Sequence, residues 1–489
     1  MLFNTLDFVI FFIIILTTIS AIKQRKFQHI FIILASCFFL YYSSNYQIIL
    51  LIFTTIWTFY LAKIINHTKD EKKKKYFLIL TLGANLGLLG FFKYGDFAIS
   101  EINNMSNYFG GYNIPLLNLI LPIGISFYTF HAMGYVIDVY RRNTEPSNSL
   151  REYMLFVTFF PQLVAGPILR AGQFIPQLRE KMAKSSLTKL RLIVIENPNL
   201  KLGVTMMMFG FLKKMFFADN ISPLVNQIFQ NPIGAESFTI ILGALAFAIQ
   251  IYGDFSGYSD IAIGAALIMG FKIPPNFNKP YFAKSPSDFW RRWHISLSTW
   301  VRDYLYFPLV FKNRRSDLRV FSSLMISFFF LGLWHGAGWN FIIYGIFHGA
   351  YVSVEIIIRK RSKYLRESKF FKTKIGTVFS ILVTQYLVFL AFIAFRVRDL
   401  DGISYAMKKF VFLDFATSQT LEVIKSFEIP MILIIVFMIL HYISYKKGNM
   451  IEIISKLRPT YWFLFSTTIV LLIVLFYGGT PEEFIYFDF

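Results

Sequence analysis

The sequence is short of the residues that hold soluble and secreted domains together. It has one cysteine, Cys37, inside an apolar run, so an intrachain disulfide and a cysteine metal centre are both excluded. Charge is scarce as well: 16% of the 489 residues are Asp, Glu, Lys or Arg, against about 25% in ordinary globular proteins. The acidic residues are the scarcer sign, 28 against 49 basic ones, which leaves a formal net charge of +21. No Walker loop, dinucleotide fingerprint or zincin helix occurs, and His and Asp are too scattered for a metal site. No metal and no tightly bound cofactor are therefore expected. What fills the chain is apolar: 55% hydrophobic residues, with 58 Phe and 27 Tyr. Apolar surface gathered into long runs points to a multi-spanning membrane protein.

The positive charge sits between those runs. Lys23-Gln24-Arg25-Lys26 and the block Lys69 to Lys75 read as cytoplasmic loops facing anionic membrane lipid, so no nucleic-acid partner is expected. Runs near the roughly 20 residues that a bilayer core requires occur around 1–22, 27–43, 46–65 and 76–93, and again at 376–395, 430–445 and 460–477. Residues 1–22 lack a basic leader and a small-residue cleavage site and read as a retained first span. The centre is broken by Gly, Pro and charge. Its candidate crossings are 113–140, 202–218, 238–270, 320–335 and 338–354, for about twelve in all, while 150–168, with Pro161, Gly166 and Pro167, reads as re-entrant. Broken backbone at membrane depth is tolerated only against protein or a water-filled cavity, so the cavity is expected here. The chain thus divides into N-terminal helices 1–112, a core 113–356 and C-terminal helices 357–489, forming one all-α polytopic membrane domain with re-entrant or interfacial helices around a central cavity. Basic blocks after the first and third spans and from Arg359 to Lys374 place the N-terminus, and the acidic tail Pro481-Glu482-Glu483, outside the cell membrane.

Three motifs could carry chemistry. Trp334-His335-Gly336-Ala337-Gly338-Trp339-Asn340 ends an apolar run, and an ionisable side chain on an intramembrane element is a functional candidate because lipid offers it no partner. A neutral imidazole suits proton removal from a hydroxyl nucleophile, although a hydrogen-bonded histidine in a tight turn would look the same. Ser285 to Ser298 opens like a helix, with Ser285 as cap, Pro286 in the first turn and Asp288 placed to pair with Arg291 and Arg292. An interfacial helix would explain those charges, but His294, on the same side as Arg291 and one turn from Trp290, fits it less well. Tyr252 to Asp260 holds Asp254, Ser256, Tyr258 and Asp260 within an apolar stretch and reads as an unwound section. There Asp254 could orient a histidine, serve ion transport or pair with Arg291, Arg292 or Arg302. His131 reads as a satisfied core group, and Gln162 as the polar handle of the re-entrant turn.

In this order the motifs resemble the membrane-bound O-acyltransferase family, in particular its branch of alginate O-acetylation membrane proteins. The pieces that carry the resemblance are Asp254-Phe255-Ser256-Gly257-Tyr258-Ser259-Asp260, Phe289 to Tyr306 with Arg291-Arg292-Trp293-His294, Trp334-His335-Gly336, and the tail Phe484 to Phe489. The resemblance implies that His335 is the catalytic histidine and His294 the second family position. Beside them Asp254, Asn340, Trp334 and Gly336 are expected to support or orient, and Tyr258, Ser256, Arg291, Arg292 and Gln162 to lie near donor or substrate. The resemblance implies acyl transfer, of acetyl groups first, from a cytoplasmic thioester such as acetyl-CoA to hydroxyls of an exported polysaccharide, directly or through an exported partner acyltransferase. The sequence departs from the alginate branch at His131, where glutamine is expected, and at Phe311-Lys312-Asn313-Arg314-Arg315, where a Gly-rich turn is usual. D-alanyl transfer to a teichoic acid would use the same histidines. A transporter or polysaccharide-export channel would also use broken helices with buried Asp and His, but the inverted repeats common in that class are not found.

Overall fold

The computed structural model describes residues 1–188, 193, 195–311, 316–363, 368–478 and 483–487. The expected turn at Lys312 to Arg315, residues 364–367, Pro481-Glu482 and Asp488-Phe489 lie outside them. Among the described residues the regular elements are all helical. Seven helical stretches are long and apolar enough to cross a membrane: Arg25–His67, Glu71–Tyr108, Ser237–Ile268, Asp317–His335, Trp339–Arg361, Lys374–Arg396 and Glu428–Lys447. Leu6–Ala21 and Pro459–Leu475 are shorter apolar helices. This is an all-α multi-pass membrane protein.

Contacts group the chain into two units, residues Met1–Met207 with Ile261–Pro274, and Met208–Asp260 with Pro275–Phe489. In the first unit, helices α1 (Leu6–Ala21), α2 (Arg25–Ser44), α3 (Ile48–His67), α4 (Glu71–Tyr108) and α5 (Ile125–Tyr140) follow one another. Helix α4 has 38 residues, about 57 Å at 1.5 Å per residue, nearly twice the hydrocarbon thickness. Asp70 caps it, accepting from the Lys72 and Lys73 N–H groups at 2.8 and 3.2 Å. The crossing expected at 113–140 is helical only over Ile125–Tyr140, 16 residues that are not among the seven stretches above, because residues 110–124 are irregular. Residues 150–168 are broken as expected, into α6 (Leu150–Thr158) and the single turn α7 (Phe160–Leu163). Gln162 closes the break, donating from Nε2 to the Phe156 carbonyl at 2.6 Å. His131 is a buried core histidine whose Nε2 accepts from the Leu169 N–H at 3.0 Å.

In the second unit the glycines do the packing. A Cβ on Gly332 would overlap the Phe341 carbonyl oxygen, and one on Gly345 would overlap that of Phe328. The helices Asp317–His335 and Trp339–Arg361 therefore approach backbone to backbone, the small-residue packing available where lipid gives no hydrophobic drive between helices. Ser316 caps the first of them through the Arg319 N–H at 3.3 Å.

The long helix Ser237–Ile268 is anchored at its start by Asp414, which accepts from the Ser237 N–H at 3.3 Å and from Lys409 Nζ at 2.6 Å. The Lys409 hydrogen bond, opposed by desolvation and aided by the Ala416 and Ser237 N–H groups, lowers the Asp414 pKa from 3.8 to about 2. A folded pKa below the unfolded one stabilises above the unfolded value, and that gain is lost as pH falls through the folded value. Asp414→Asn should therefore flatten the decline in thermal midpoint between about pH 4 and pH 2. Parallel midpoint-against-pH curves for variant and parent would remove this anchor.

Candidate active site

His335 is the last residue of its helix, and the chain then runs extended through Gly336 and Gly338 before the next helix starts at Trp339. A Cβ on Gly336 would collide with the Phe341 ring, so only glycine lets that turn close. The imidazole is 3% exposed. Four rings box it in: Trp334 at 5.1 Å between centroids, Phe395 at 5.2 Å, Tyr486 at 5.4 Å and Tyr344 at 5.6 Å. Asn340, also buried, donates from Nδ2 to the Phe395 carbonyl at 3.4 Å. It thereby ties the start of Trp339–Arg361 to the strand of rings that encloses His335.

The Ser285 motif begins as expected, with the Ser285 hydroxyl accepting from the Asp288 N–H at 3.2 Å, but the helix stops at Trp290. His294 stands outside it in the left-handed region, at φ 42° and ψ 54°, before a new helix Ile295–Val301. The reading that put His294 and Arg291 on one helical face is thus corrected: the chain turns between them. Arg291 and Arg292 pair with Asp288 at 3.7 and 3.0 Å, and the Arg291 side chain is 72% exposed, away from the buried histidines. Asn276 holds the His294 turn. Its backbone carbonyl accepts from the Ile295 N–H at 2.9 Å, and its side-chain Oδ1 accepts from the Ser296 N–H at 3.1 Å and hydroxyl at 2.9 Å. The Ser296 N–H can only donate, which fixes the amide orientation. His294 Nδ1, 3.3 Å from the same Oδ1, then carries a proton, and in the neutral ring the lone pair is at Nε2. Asn276→Ala strands several buried donors at about 1–3 kcal/mol each. It should lower the thermal midpoint in detergent and reduce activity, and a parental midpoint would show that the turn holds itself.

The two histidines do not stack on each other. Trp334 and Tyr486 touch both, lying 5.6 and 6.4 Å from the His294 ring.

Asp254 required the largest correction. Tyr252 to Asp260 is not unwound but lies within the continuous helix Ser237–Ile268. Its glycines are contact points: a Cβ on Gly253 would come within 2.9 Å of the Lys213 carbonyl, and one on Gly257 within 2.7 Å of the Gly210 carbonyl. The facing segment, Leu212–Ala218, is a π-helical turn, a distortion common at functional sites. From it Lys213 pairs with Asp260, and Lys214 with Asp254 at 2.6 Å and Asp219 at 2.9 Å. The arginines considered for these carboxylates do not take them, since Arg302 pairs with Asp303. Lys213 and Lys214 escaped the sequence reading, although two lysines inside a candidate span carried the same signal as His335. Tyr258 stacks on Phe484 at 4.5 Å, and Ser256 is buried.

A cavity of about 420 Å³ opens beside this cluster, lined by Lys214, Asp219, Asp254, Arg396, Arg398 and Ile485 among others. His335 is not on its lining. The central cavity expected from the sequence thus stops short of His335: Ile485 faces the cavity and Tyr486 covers His335. Among the described residues no cluster of His, Cys, Asp and Glu could hold a metal.

Residues 145–395 match the membrane-bound O-acyltransferase family. The chain belongs to that family. Among its relatives, a probable alginate O-acetylase AlgI of Azotobacter vinelandii is 40% identical over 328 residues, 66% of this chain and 60% of the relative. A peptidoglycan O-acetyltransferase of Helicobacter pylori is 34% identical over 383 residues, 73% of this chain and 69% of the relative. A teichoic acid D-alanyltransferase of Bacillus subtilis is 30% identical over 296 residues, 58% of this chain and 70% of the relative. The chain thus spans less than two thirds of the length of the alginate O-acetylase. The three names describe the transfer of acetyl or D-alanyl groups, and the family match covers His294, Asp254, His335 and Phe395 together.

Proposed function

We propose that this protein is a membrane O-acyltransferase that moves an acetyl group from a cytoplasmic thioester, acetyl-CoA or another acyl thioester, toward hydroxyls of an exported polysaccharide. An exported partner acyltransferase completes the delivery where the polymer itself does not reach the site. The observation that carries this reading is His335 enclosed by four aromatic rings at the glycine turn between two close-packed helices, within a family match.

His335 removes the proton of the acceptor hydroxyl as its oxygen attacks the thioester carbonyl. The C–S bond then breaks, and the imidazolium returns the proton to the departing thiolate. The aromatic box keeps bulk water from competing and makes each polar contact inside stronger. A neutral His294 offers a lone pair at Nε2, which suits holding a hydroxyl. Stabilisation of the oxyanion then falls to the N–H groups of the Gly336 to Gly338 turn, or to His294 once it is protonated. Asp254, Asn340 and Trp334 are positioning groups.

The basic blocks support a site in a cytoplasmic (inner) membrane, with the first residues and the segment after Leu475 on the outer side. By the same rule the helix Lys374–Arg396 starts inside and ends outside, so the polar cavity beside Arg396 and Arg398 faces the acceptor. Its mixture of amides, carboxylates and guanidinium groups suits a polyhydroxylated ligand.

The test is donor consumption. Purified protein in lipid nanodiscs is incubated with acetyl-CoA, a longer acyl-CoA, or a D-alanyl carrier-protein thioester, and thiol release is followed. Selective use of acetyl-CoA supports the reading, and selective use of the D-alanyl thioester would move the protein to teichoic acid chemistry. Vesicles that transport a polysaccharide with every thioester untouched would replace the enzyme by an export channel.

A further inference from the structure

Residues 483–487 form a short segment with a single 3₁₀ turn, Ile485–Phe487, too short to hold its own shape. Two buried charged groups hold it. Lys214 Nζ donates to the Glu483 carbonyl at 3.0 Å, and Asp254 Oδ2 accepts from the Ile485 N–H at 2.8 Å. The holders are themselves paired at 2.6 Å, and their side chains are 4% and 3% exposed. Charge-assisted bonds of this kind are shorter and stronger than neutral ones, and a buried pair is costly to break because either partner alone is left uncompensated.

That hold decides what the segment covers. Ile485 faces the polar cavity. The next residue, Tyr486, lies 5.4 Å from the His335 ring, 6.2 Å from Trp334 and 4.6 Å from Phe255. On the other side of Ile485, Phe484 stacks on Tyr258. Alternate residues thus face different spaces across a single thickness of backbone.

We propose that Lys214 and Asp254 are positioning residues for acyl transfer: they clamp residues 483–487 as the partition between the polar cavity and His335, with Tyr486 as the wall of the reaction chamber. This rests on His335 being the base. The partition admits an acceptor hydroxyl by local displacement and otherwise keeps water away from the thioester. Where it is loosened, water takes the acceptor's place: its oxygen attacks the carbonyl, His335 takes its proton, the C–S bond breaks, and acetate and thiol leave.

The experiment uses the full chain in nanodiscs and three variants. Lys214→Met removes the clamp. Ile485→Pro removes the N–H given to Asp254 together with the side chain that faces the cavity, and leaves Lys214 and Asp254 paired; it sits at the first position of a helical turn, where proline is tolerated. Lys214→Arg is the conservative control. Two quantities are read: hydrogen exchange over residues 483–487, and acceptor-independent thiol release from acetyl-CoA. Lys214→Met and Ile485→Pro should each raise both, exchange by at least about tenfold and thiol release severalfold, with Lys214→Arg close to the parent. Adding His335→Ala should return thiol release to background while exchange stays fast. Exchange unchanged in Ile485→Pro overturns the partition, even where Lys214→Met fails to fold. Fast exchange with hydrolysis that survives His335→Ala keeps the clamp and removes the base. Exchange requires no donor, so a protein that refuses acetyl-CoA still decides whether the clamp exists.

Discussion

Replacing His335 with alanine or asparagine is expected to lower acyl transfer by about 10²- to 10⁴-fold, the usual contribution of a positioned general base. The asparagine variant is the sharper test, because it keeps polarity and much of the volume inside the ring box of Trp334, Tyr344, Phe395 and Tyr486. Alanine also opens a hole beside those rings, and a fall in stability would then blur the readout. Both variants should elute as the parent does, with O-acetyl groups on the exported polymer near background. Yields within about tenfold of the parent would contradict the role, since even the lower end of the general-base range is larger. His294→Ala should cost less, because in the proposed role a ring whose Nδ1 faces Asn276 aligns the nucleophile through Nε2 without taking its proton.

The difference between the two histidines marks how far the sequence is legible. Trp334-His335-Gly336 stands out because a histidine and two glycines interrupt an apolar run, and the fold places that interruption at the end of a helix, as expected. Tyr252 to Asp260 interrupts its run with the same residue types, yet it stays helical. A glycine read alone is equally a breaker or a contact. At Gly253 and Gly257 the deciding fact is the approach of the Lys213 and Gly210 carbonyls, supplied by a segment some forty residues earlier in the chain. The same distance concealed the partners of Asp254 and Asp260: charge pairing along one helix follows i,i+4 spacing, as Asp288 and Arg292 show, but pairing between helices has no period to find. Tyr486 lies in the tail that carries part of the resemblance, but it is one of 27 tyrosines, and only the folded chain shows that it meets both imidazoles.

Because glycine context decides so much, one substitution at two positions should act in opposite directions. Gly345→Ala puts a methyl group onto the Phe328 carbonyl oxygen, and the Gly332 Cα already lies 3.2 Å from where that methyl would sit. No rotamer relieves a clash with backbone, so the helices Asp317–His335 and Trp339–Arg361 must separate, at a cost of about 1–3 kcal/mol or more. His335 is the last residue of the first of these helices, less than one turn beyond Gly332, so activity should fall along with stability. Gly87→Ala meets nothing within 4 Å on α4 and should instead gain about 0.5–1 kcal/mol, because alanine loses less backbone freedom than glycine on entering a helix. Thermal midpoints of the two variants, measured in one detergent, decide the matter. If Gly345→Ala matches the parent in midpoint and activity, the backbone contact between these helices is not what positions the imidazole.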